Sequence, residues 1–93
     1  MTVLHLVNRA AALEACLARA KAGDAILLIE DGVYAAMDRD TRQPSIRDSL
    51  HVLREHLAVR GLDAERVEAA VAIVDFPDFV ALTVRYTQSI NWS

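Results

Sequence analysis

A single cysteine, three histidines and two short carboxylate clusters are the places where this 93-residue chain could do chemistry. Cys16 lies in LEACLARA, a helix-prone run. At ~100° per residue, Leu13, Leu17 and Ala20 share a helical face and Cys16 sits at its edge. An edge position leaves two readings open. The sulfur is a small hydrophobe packed inside, or it is a reachable thiol that Arg19, one turn along, biases towards the thiolate.

The histidines give less. His51 and His56 are five residues apart, off the shared helical face that an i, i+4 zinc pair needs. His5 stands between Leu4 and Leu6, and all three read as structural. One cysteine excludes an internal disulfide framework and a multi-cysteine metal site. No Ser–His–Asp spacing and no glycine-rich phosphate loop is present, so neither a hydrolase nor a nucleotide-binding enzyme is supported, and no cofactor is implied.

The carboxylates end apolar runs. In ILLIEDGVYAAM (26–37), four apolar residues meet Glu30, Asp31 and Gly32, and Asp75 follows Val71–Val74 in the same way. Ligands of an open parallel sheet gather beyond the carboxyl ends of its strands. A phospho-accepting receiver would need a longer chain and a lysine at a later strand end, whereas the only lysine is Lys21. Helix capping is the expectation for Asp31 and Asp75, with Gly32 permitting a tight turn.

Around these residues the elements alternate. TVLHLV (2–7) reads as a strand, Asn8 as a cap and 10–22 as a helix closed by Gly23-Asp24. The run 25–29 is a strand covered on both faces, and 32–37 is a short helix. DRDTRQPSIRD (38–48) is a polar surface loop. A strand at 50–53, a helix at 54–60 and a strand at 71–74 follow. Asp75 and Asp78 form a capping arrangement around Pro77, 79–86 fits helix or strand, and 88–93 is a tail. The expectation is one α/β domain over residues 1–93, a small three-layer open sheet that is mainly parallel.

The formal net charge is −3 and the arginines form no basic run, which excludes direct, tight nucleic-acid binding. No charged n-region opens the chain, and no apolar stretch reaches the ~20 residues of a membrane helix, so a cytoplasmic protein without membrane association is expected. Apolar residues make up 54%. That exceeds what so small a core consumes, so some are expected to face a partner subunit.

Taken together, LHLVNRAAALEACL, ILLIEDGVYAAM, the RGL of 60–62, IVDFPDFVALTVRY and the closing NW resemble the TusB/DsrH family. EDGVYAA and D-x-x-DFV-x-LT (75–83) are the most specific pieces, and neither is a catalytic motif. The resemblance covers essentially the whole chain. It implies a DsrE/DsrF/DsrH-like fold and a heterohexamer with TusC/DsrF-like and TusD/DsrE-like homologous subunits. It also implies a sulfur relay in which persulfide sulfur passes to a TusE/DsrC-like acceptor, for 2-thiolation of tRNA wobble uridine or, in the Dsr branch, for sulfur oxidation. The main nucleophile of such a sulfurtransferase complex belongs to another subunit, while Cys16 matches a cysteine carried by DsrH-type members. By the same resemblance, Glu30-Asp31-Gly32 shapes a strand-to-helix turn, with Val33, Tyr34 and Met37 near an inter-subunit surface and Ile90 and Trp92 as further contacts. Three functions follow: an active relay subunit with Cys16 carrying sulfur, a mainly structural subunit, and an independent regulatory or binding domain.

Overall fold

Five strands, all parallel, form one sheet in the order β4-β3-β2-β1-β5 in a computed structural model that describes residues 2–37, 50–68 and 70–93. In chain order these are β1 (Val3–Arg9), β2 (Ala25–Asp31), β3 (Leu50–Leu53), β4 (Ala72–Val74) and β5 (Gln88–Trp92). The α-helices are α1 (Leu13–Arg19), α2 (Arg54–Val59) and α3 (Phe76–Arg85), with 3-10 turns at Ala10–Ala12, Gly32–Met37 and Ala64–Arg66.

The order follows from handedness. From β1 to β4 each strand is laid beside the last in one direction, and right-handed crossovers put α1, the 3-10 turn and α2 on one face. The path from β4 to β5 runs back across three strands, so α3 lies on the other face. The two cores agree. Leu13, Cys16, Val33 and Leu57 pack on Val7, Ile26, Leu28 and Val52, whereas Phe79, Leu82 and Tyr86 cover Leu4, Ala25 and Leu27. Alternate residues of β2 thus serve opposite cores, which is why Ile26–Leu28 reads as a continuous apolar run and is wholly buried.

Several expectations change. Asn8 caps nothing, because β1 runs through it to Arg9, and the N-cap of the next turn carries no side-chain hydrogen bond. The first helix stops at Arg19 rather than Ala22. The expected tail is the edge strand β5, paired with β1 from Val3↔Gln88 to Val7↔Trp92. The segment 79–86 is helix, started by the Asp75/Asp78 capping box. The expected loop Asp38–Asp48 falls outside the described residues.

No helix among the described residues is long and apolar enough to cross a membrane. The apolar surplus surfaces chiefly on α3. Phe76, Val80 and Val84, spaced by four, are 45%, 59% and 78% exposed and form a row on the side away from the sheet.

Candidate functional site

At the carboxyl ends of β2 and β3, Glu30 takes a left-handed backbone conformation (φ 50°) that a side chain rarely adopts. Its N–H donates to Nδ1 of His56 over 2.7 Å, so a neutral His56 carries its proton on Nε2. The ring of His56 stands edge-on to Phe76 at 5.8 Å. Asp31 does not cap the following turn. Its carboxylate accepts from Nε of Arg60 at 2.8 Å, a pair exposed at the Asp31 end. Solvent screening keeps such a bridge small, so Arg60→Ala should cost less than ~1 kcal/mol in a urea melt.

Gly32 has a different reason from the one expected. A Cβ there would lie 2.0 Å from the carbonyl oxygen of Val7, so the residue lets two backbones meet rather than supplying a left-handed turn. Asp75 does cap, accepting from the Asp78 N–H at 2.9 Å. That backbone hydrogen bond is the main reason its carboxyl titrates below the usual range; burial opposes it, and the Asp78 side chain and the Arg54 charge add smaller lowering effects. The carboxyl edge thus holds caps, a surface ion pair and a backbone-tethered histidine. It presents no thiol among the described residues.

The more elaborate arrangement lies at the opposite end. Asp24, just before β2, is 6% exposed and accepts three hydrogen bonds: from Val3 N at 2.9 Å, Lys21 N at 3.0 Å and His5 Nε2 at 2.9 Å. The Trp92 indole N–H donates to His5 Nδ1 at 3.0 Å. That donor fixes the imidazole as the Nε2–H tautomer, which is the form that donates to Asp24. Burial alone would raise the Asp24 pKa, but the hydrogen bonds from His5, Lys21 and Val3 outweigh it and hold the carboxyl below its ordinary value. Three residues far apart in sequence are joined in one buried chain of donors and acceptors.

Sequence reasoning did not join His5, Asp24 and Trp92, whose hydrogen bonds span 19 and 87 positions. The usable signal was a polar ring between Leu4 and Leu6 of a buried strand, which must find a partner.

Cys16 stands on α1, fully buried. Burial, with a smaller contribution from the Asp24 charge, pushes its thiol up to about 12. The folded protein therefore holds about a thousandfold less thiolate than a free thiol near neutral pH, and Ellman's reagent should label Cys16 quickly only in denaturant. A thiol raised in the fold stabilises it fully below its ordinary pKa of 9.0, and that stability is lost as pH climbs towards about 12. Melting temperature should accordingly fall between pH 8 and pH 10.5 in wild type and fall less in Cys16→Ala.

The expected contact residues separate. Val33 is closed into the core of its own chain and reaches no surface, while Tyr34 is 46% and Ile90 44% exposed. Met37 packs partly against the core, and Trp92 is half-buried under its bond to His5.

A family model described as "DsrH like protein" matches residues 8–89. Proteins named "Protein TusB" from Salmonella dublin and Salmonella enteritidis PT4 are 39% identical to the chain over 75 residues, covering 77% of it and 78% of each relative. A "Protein TusB" from Salmonella arizonae is 37% identical over the same shares.

Proposed function

The chain belongs to the DsrH-like family, and from that premise we propose that it is the TusB/DsrH-type subunit of a cytoplasmic sulfur-relay complex. Its partners are TusC/DsrF-like and TusD/DsrE-like homologous subunits in a heterohexamer, and persulfide sulfur leaves to a TusE/DsrC-like acceptor. The relatives named TusB favour the 2-thiolation of tRNA wobble uridine over sulfur oxidation. In this reading the subunit is mainly structural: it completes the assembly and positions a neighbour's nucleophile.

One observation carries the structural role: Cys16 is sealed in the core with its thiol raised to about 12. Persulfide transfer begins with thiolate attack on a sulfur, and its rate depends on both thiolate fraction and access. A carrier Cys16 would have to leave the face it shares with Leu13 and Leu57 before reacting. The apolar row of Phe76, Val80 and Val84, with Tyr34 and Ile90 elsewhere, supplies surface for the neighbours.

The test has two arms. Tagged chain expressed in its native host should co-purify with two homologous small subunits, and Cys16→Ser should support thiouridine formation within about twofold of wild type. Val84→Lys should release the partners while leaving the melt of the isolated chain within ~0.5 kcal/mol. A stable monomer with no companions would overturn the reading, and loss of transfer in an intact Cys16→Ser complex would make the cysteine a carrier.

A further inference from the structure

Resting on that assembly reading, we propose that the free edge of β5 takes up an extended acidic segment of a partner protein, which pairs as a sixth strand and sets carboxylates against Arg19 and Lys21. The sheet has two edges. Edge strands are normally protected by shortness, bulges, proline or charge, because their unpaired N–H and C=O groups invite another chain. β4 is protected by being three residues long. β5 has no such protection: its five residues, Gln-Ser-Ile-Asn-Trp, include no charge and no proline, and its pairing with β1 runs unbroken over its whole length.

The side chains beside that edge determine what fits. Between β5 and the end of α1 lies a cleft of about 540 Å³, with Val3, Ile90 and Trp92 as apolar lining and Arg19 and Lys21 as its cations. The Asp24 carboxylate in the same cleft is occupied by its three hydrogen bonds. Among the described residues, neither the Arg19 guanidinium nor the Lys21 ammonium has an ion pair or hydrogen bond. On a protein of net charge −3, this is a place where an acidic segment is attracted rather than repelled. The indole is also held ready, since the bond to His5 fixes Trp92 before anything arrives. In strand addition, main-chain hydrogen bonds supply affinity and alternate side chains supply specificity. One side of an added strand would face Ile90 and the cleft, and its acidic residues would meet the cations.

Lys21 is the only lysine, so a zero-length carbodiimide can join its amine to a touching carboxylate without any substitution. In the complex purified from the native host, peptide mapping should find Lys21 in an amide bond to an Asp or Glu of a partner. Amide exchange over Gln88–Trp92 should be at least about tenfold slower than in the isolated chain. Lys21→Arg should abolish the cross-link and keep the protection, whereas Arg19→Glu with Lys21→Glu should remove the protection. An intact complex with Lys21 unlinked and β5 exchanging as in the free chain overturns this proposal and leaves the assembly standing. A link to a second copy of this chain also overturns it. A chain that purifies with no companion overturns both.

Discussion

Gly32→Ala should unfold much of the protein at 37 °C. The added methyl would sit 2.0 Å from the Val7 carbonyl oxygen and 2.8 Å from its carbon. Both atoms belong to the backbone of a strand paired on each side, so no flexible side chain can yield. Either β1 or the turn after β2 must move by more than an ångström, and both carry buried core residues, Val7 and Val33. Overpacking usually costs about 1–3 kcal/mol, and a backbone clash belongs at or above the upper end. A loss of about 3 kcal/mol lowers the melting temperature of a domain this size by roughly 12–24 °C, readable by far-UV circular dichroism. A melting temperature within a few degrees of wild type would show that the two backbones part easily.

Asp24→Asn should be clearly destabilising although it preserves shape, and Asp24→Ala more so. Three donors converge on the carboxylate, from Val3, Lys21 and His5. An amide offers one acceptor oxygen and turns its NH2 towards the rest. With the amide oxygen kept where His5 and Lys21 donate, the NH2 faces only the Val3 N–H, so about 1–3 kcal/mol is expected for Asp24→Asn and more for Asp24→Ala, which leaves all three donors unpaired. Turning the amide the other way would set its NH2 against both His5 and Lys21, and His5 could not relieve that by changing tautomer, because its other nitrogen already accepts from Trp92. As the only tryptophan, Trp92 reports the loss directly through its emission. The pH dependence follows from the same bonds. The folded Asp24 carboxyl ionises more readily than the unfolded one, so its contribution is complete above the unfolded pKa of about 4 and is lost as pH falls through the lower folded value. Wild-type stability should drop more steeply below pH 4 than that of Asp24→Asn, measured by urea midpoints from pH 5 to pH 2.5.

What could be read from the sequence was whatever depends on near neighbours. The β2 run, the Asp75/Asp78 box around Pro77 and the helix at 54–60 are set by periodicity and capping within a few residues, and they lie close to where periodicity places them. The resemblance identified the family over most of the length. The failures involve distance. Gly32 is required by Val7, twenty-five positions away, so the local context EDG suggested a turn glycine. Asp31 was assigned to its own helix end and instead found Arg60. The tail at 88–93 looked unplaced because a parallel strand's partner cannot be inferred from its own residues, only from the crossover that delivers it. Val33 was expected at a surface from its place in the motif. Only the sheet's geometry shows that a residue just past the β2 end turns back under α1 and α2.

The position of β5 also bears on how the protein is made. β1 is made before the other four strands of its sheet, yet one of its two flanks is filled only by β5, 85 positions later. It therefore waits with an open edge until β5 emerges, and the His5–Trp92 contact spans 87 positions. Contacts so distant in sequence make folding slow and late. The nascent chain cannot complete its sheet until β5 has been made, which leaves β1 exposed to the wrong neighbour until then.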